Sequence, residues 1–150
     1  MIKKITILLA IFALLILTGC KFKEDQPTNA DVFQPEIEAA DQKIVDNKVI
    51  IDKASIPVDG WLVVYESNPI PENKLTKFGP KEEQGKMLGN KFLPQGKNEN
   101  ITVEIKPTKT QRLMFMILVD KGQKGVLDSQ ETDHPYYYGA GALMTIINLQ

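Results

Sequence analysis

Short apolar stretches, each stopped early by a turn former, set the fold class of this chain. Leu113 to Val119 is a run of seven apolar residues ended by Asp120-Lys121-Gly122. That is the length of a core strand, below the 10–12 residues of a buried helix. Ile101, Val103 and Ile105 alternate with Thr102, Glu104 and Lys106, which is a strand with one wet face. Lys48 to Ile56 forms an earlier strand, and Asp59-Gly60 turns into Trp61-Leu62-Val63-Val64-Tyr65. That run is apolar on both faces, so it belongs at the centre of a sheet, with Trp61 filling the space between two sheets. Pro69, Pro71, Gly79 and Pro80 mark a long loop. Lys86 to Phe92 makes a weaker strand interrupted by Gly89, Pro94-Gln95-Gly96 turns the chain, and Leu143 to Leu149 closes it. Six or seven short strands separated by turn signals predict an all-β fold, an antiparallel β-sandwich.

Ahead of the strands stands a different signal. Lys3 and Lys4 precede an uncharged apolar run from Ile5 to Leu17, thirteen residues that are too few to span a bilayer. Leu17-Thr18-Gly19-Cys20 follows. This order resembles the lipobox of bacterial lipoproteins. There the cysteine thiol takes a diacylglycerol group, the signal peptide is cut away, and the new N-terminus often receives a fatty acyl chain such as palmitate. The resemblance implies residues 1–19 as signal peptide, lipidation at Cys20, and an extracytoplasmic protein held at a bacterial membrane. Two or three acyl chains anchor stably where one does not. Lys21 follows the cysteine, so nothing resembles the aspartate that retains lipoproteins at an inner membrane.

Residues 20–40 then read as the lipidated cysteine and a flexible, polar tether with Pro27 and Pro35, and residues 41–150 as the domain. Glu36 to Ile44 suits a short helix with Ile37, Ala40 and Ile44 on one side, unless Asp41-Gln42 already opens the domain. The chain has one cysteine. With its thiol lipidated, the fold has no disulfide and rests on its hydrophobic core.

Beyond residue 19 the chain has sixteen basic and nineteen acidic residues, a net charge of −3. Such a chain offers no electrostatic footprint for nucleic acid. Arg112 is its only arginine and His134 its only histidine. One histidine is too few for a zinc site built on imidazoles and thiolates. Ser55, Ser67 and Ser129 do not sit in a nucleophile-elbow setting. The expectation is a protein without enzymatic activity and without a cofactor.

Asp41-Gln42, Gly60-Trp61-Leu62-Val63-Val64, Leu88-Gly89, Gly96 to Val103 and Asp120 to Asp128 also fall in the order and spacing of a known domain. The chain resembles, over residues 41 to 149, an uncharacterised β-sandwich domain of exported bacterial and archaeal surface proteins. The resemblance implies an immunoglobulin-like fold in an extracytoplasmic setting and brings no catalytic residues with it.

Two segments are candidates for chemistry. Set against a twelve-residue calcium loop, residues 120–131 place Asp120 at position one, Gly125 at six, Asp128 at nine and Glu131 at twelve. Gly122 and Lys124 then occupy positions three and five, where calcium wants oxygen. The segment therefore reads first as an acidic hairpin loop with glycines at positive φ. Weak calcium binding through Asp120, Asp128 and Glu131 is the alternative. The second candidate is Asp133-His134-Pro135-Tyr136-Tyr137-Tyr138, which reads first as structural packing of the rings. The alternatives are an acid/base pair of His134 with Asp133, or a platform on which the tyrosines contact a ligand such as a sugar. Strand alternation puts Tyr136 and Tyr138 on one face and Tyr137 on the other. The expected role is a module at the cell envelope, structural or binding, with an envelope protein or a glycan as partner.

Overall fold

The computed structural model describes residues 33–75, 81–128 and 132–150. The expected signal peptide, Cys20, most of the expected tether, Ser129 and Glu131 lie outside the described residues. Among the described residues nine strands follow in order: β1 (Glu36–Glu38), β2 (Lys48–Ile56), β3 (Gly60–Pro69), β4 (Glu82–Leu93), β5 (Gly96–Glu104), β6 (Arg112–Val119), β7 (Tyr137–Tyr138), β8 (Gly141–Ala142) and β9 (Met144–Asn148). The helical structure among the described residues is one 3-10 turn, Glu72–Lys74. No described helix is long and apolar enough to cross a membrane.

Two antiparallel sheets make the sandwich. One has the order β1-β2-β5 and the other β4-β3-β6-β9, while β7 and β8 form a small separate hairpin. β2 and β5 pair along their lengths, with Val49 opposite Val103 and Ile51 opposite Ile101. All four of these side chains are buried, while Thr102 and Glu104 are exposed, as the alternation predicts. Facing them are Leu62 and Val64 of β3, Leu113, Phe115 and Ile117 of β6, and Ile147 of β9. Burying each such side chain stabilises by about 1.5–3 kcal/mol. β3 does lie at the centre of its sheet, paired to β4 on one side and β6 on the other.

Trp61 is buried, 7% exposed, but its position differs from the one expected. It points to the opposite face of its sheet from the core, together with Val63 and Tyr65 of β3 and Met114, Met116 and Leu118 of β6. Its ring meets Phe92 edge-on, with centroids 5.4 Å apart. A strand apolar on both faces has two sets of alternate residues, and Leu62 and Val64 are the set that faces β2 and β5.

The domain also starts earlier than residue 41, since the compact unit runs from Phe33 to Gln150. Where a helix was expected, Glu36–Glu38 is a strand, pairing Ile37 with Ala54 and Glu38 with Lys53. Isolated helices under about 12 residues are marginal. The strand instead satisfies its backbone along β2, packs Ile37 on the core, and pairs Glu36 and Glu38 with Lys53. Next, the Asp41 carboxylate accepts from the Asn148 backbone N–H (2.8 Å) and side-chain amide (3.0 Å). Gln42 bridges in parallel to Leu149. Its side-chain amide also caps the exposed backbone of β2 in both directions, donating to the Ile50 carbonyl at 2.7 Å and accepting from the Ile50 N–H at 2.8 Å.

Candidate functional site

One end of the sandwich gathers the two segments singled out in the sequence. β6 ends at Val119, and the chain leaves the sheet through Asp120 and comes back alongside the same strand. Val119 donates to the His134 carbonyl (2.9 Å), and Tyr136 donates to the Ile117 carbonyl (2.8 Å). Pro135 bridges to Leu118. The return is then tied down by Leu143, which donates to the Tyr136 carbonyl at 2.7 Å.

The excursion between is organised by carboxylates that accept backbone N–H groups. Asp133, which opens the second of these segments, is fully buried. It accepts from Lys121 (3.0 Å), Gly122 (3.4 Å) and Asp128 (2.7 Å). Burial pushes the Asp133 carboxyl up, but these N–H groups together outweigh it and hold the carboxyl below its ordinary range. Asp128 accepts from Gln123 (3.1 Å), and Asp120 accepts through Oδ2 from Gly125 (2.9 Å). The other oxygen of Asp120, Oδ1, is buried and accepts no hydrogen bond from the described residues. Lys124, the side chain at odds with a calcium loop, pairs with Asp59 at 2.8 Å. That ion pair, with the Gln95 N–H, lowers the Asp59 carboxyl. No described group of three or more His, Cys, Asp or Glu side chains is placed to hold a metal ion.

The glycines divide in function. Gly125 has φ of 75°, as expected of a turn glycine. Gly122 is required for space, because a Cβ there would run into the Asp128 carboxylate.

Beside this loop lies an open cleft of about 350 Å3. Val58, Val119 and Pro135 give it an apolar lining, and Lys121, His134, Tyr136 and Tyr137 contribute the rest. Val58, Val119 and Lys121 escaped the sequence reading because they come from the end of β6 and from the β2–β3 turn. Their convergence with His134 is a product of the fold. Tyr136 is partly buried and packs on the core. Tyr137 and Tyr138 are 67% and 50% exposed. Strict alternation across these three tyrosines therefore fails: Tyr137 and Tyr138 form the two-residue strand of a tight hairpin turned at Gly139, whose φ is 64°.

His134 Nδ1 lies 3.1 Å from the Pro135 carbonyl oxygen. That contact makes Nδ1 the donor nitrogen and leaves Nε2 as the acceptor of the neutral ring. Ser55 and Ser67 are engaged elsewhere, donating to Glu36 (3.4 Å) and Glu82 (2.6 Å).

Residues 35–149 match a family described as a domain of unknown function, DUF7282. No curated protein and no solved structure matches the chain.

Proposed function

The chain belongs to the DUF7282 family of domains of unknown function, and from that footing we propose that it is an extracytoplasmic binding module, anchored to a bacterial membrane through a lipidated Cys20. It meets an envelope partner through the end of the sandwich that carries the His134 cleft. The anchor is supported by the sequence Leu17-Thr18-Gly19-Cys20 behind a short apolar run. The docking end is supported by one observation above all. Tyr137, at the rim of a partly apolar cleft, stands exposed with Tyr138 on one hairpin, and surface aromatics of this kind are common binding anchors.

The proposed role is binding without catalysis. Ser55 and Ser67 donate to Glu36 and Glu82, and His134 Nδ1 is engaged by a backbone carbonyl, which supports that reading. Calcium binding through Asp120, Asp128 and Glu131 has less support. Asp120 and Asp128 each already accept a backbone N–H, and Lys124 places a cation on the same loop.

The test uses membrane fractions and a capture assay. The native chain is expected in the membrane fraction and the Cys20→Ser chain in the soluble one. The Tyr137→Ala/Tyr138→Ala variant should fold and retain envelope material about 5–30-fold less well, the equivalent of 1–2 kcal/mol. Equal retention by that variant would place the docking surface elsewhere on the domain.

A further inference from the structure

We propose that the His134 cleft takes a sugar unit bearing a carboxylate, an acidic glycan residue of the uronic acid type. This rests on the reading of that end as a binding face. Three groups of different chemistry converge there. Lys121 is exposed and, among the described residues, pairs with no carboxylate, so it is a free cation beside the cleft. Of the described acids nearest to it in the chain, Asp133 accepts three N–H groups, and Asp120 and Asp128 one each. Asp59 is held by Lys124 and the Gln95 N–H. Among the described residues no carboxylate lines the cleft.

The second group is His134. Its Nδ1 is committed to the Pro135 carbonyl, so the neutral ring offers Nε2 as an acceptor for a hydroxyl donor. The third is the apolar surface of Pro135 and Tyr137, the kind of face on which the C–H side of a pyranose packs.

A ligand that satisfies all three has a negative charge, a hydroxyl and a flat C–H face at once. A fatty acid lacks the hydroxyl, and a free inorganic anion lacks the apolar face. The volume of about 350 Å3 is at the small end of ligand sites and suits about one or two sugar rings.

The experiment titrates the isotopically labelled domain, residues 21–150, with a glucuronate-containing disaccharide and with its neutral glucose twin. Amide shifts of Val119, Lys121 and Tyr137 are followed by NMR. The acidic sugar is expected to bind roughly tenfold more tightly than the neutral one, a single charge-assisted contact's worth of selectivity. Lys121→Ala should bring the two within about twofold of each other. Tyr137→Ala should weaken both alike. Both side chains are exposed, so neither variant threatens the fold. Equal binding of the two sugars that Tyr137→Ala abolishes overturns the acidic specificity while leaving the binding face in place. If neither sugar moves these amides while the Tyr137/Tyr138 variant still loses envelope capture, the glycan class is overturned and the partner is a protein. If capture is also unchanged, the binding face itself falls.

Discussion

Asp133 shows how much one side chain can organise. Its buried carboxylate gathers the N–H groups of Lys121, Gly122 and Asp128, drawing the chain that leaves β6 around a single charge. These bonds hold Lys121, which lines the cleft, to the residue that precedes His134. Replacing Asp133 by Asn removes the charge and sets an amide N–H₂ against backbone donors. The expected loss is about 1.5–3 kcal/mol, read from the shift of the denaturant midpoint at neutral pH.

The acid response follows from the same carboxyl. Its value is depressed in the folded protein, so its stabilisation is present above the unfolded value, near ~3.9. That stabilisation is lost as pH falls through the lower folded value. Asp41, held down by the Asn148 backbone and side-chain N–H groups, contributes in the same direction. Native stability should therefore fall below about pH 4, and the Asp133→Asn variant should show a shallower fall. Identical acid profiles for the two would remove Asp133 from this role. The sequence places Asp133 at the head of the His134 segment but does not mark it as the hub of the loop, because a buried acid that accepts N–H groups and a solvated one look the same in a polar loop.

Among the elements, β4 carries a constraint that its composition understates. It is the sheet edge at which the two layers meet: Lys106, just past β5, donates to the Leu88 carbonyl at 2.9 Å. Gly89 lies against the Glu104 carbonyl, and an added Cβ would collide with that backbone oxygen. Gly89→Ala should force β4 away from β5 and destabilise by about 1–3 kcal/mol, as overpacking does. Gly141→Ala is the control, since its Cβ would meet nothing within 4 Å. It should change stability by no more than about 0.5 kcal/mol. Parallel thermal melts of the two variants decide the point.

The strands themselves were largely legible. Lys48–Ile56 matches the expected limits because alternation and flanking turn residues both mark it. Leu113 to Val119 lies within β6. Two features were hidden for a physical reason. Glu36-Ile37-Glu38 has one apolar side chain, so its pairing with β2 is visible only once β2 is in place. In Trp61–Tyr65 the residues of both faces are apolar, so periodicity could not say which set meets the second sheet.

At the scale of the molecule, residues 33–42 tie the two layers together. β1 extends the three-stranded sheet, and Asp41 and Gln42 then join the end of β9 in the four-stranded one. A chain that begins at Lys43 would lose Ile37 from the core and expose the outer edge of β2. Such a chain is expected to melt at a lower temperature and over a broader range than one beginning at Phe33. An unchanged melting curve would show that the sandwich closes without this segment.

By itself the sequence determined the strand content, the central position of β3 and the reliance on a core without disulfides. These depend on local alternation, turn residues and a count of cysteines. The tertiary structure decided which face of β3 meets the second sheet, that Asp133 serves as the hub of its loop, and that Val58, Val119 and Lys121 share a cleft with His134 and Tyr137. Each of those depends on groups far apart in the chain reaching one place, and no local pattern encodes such a meeting.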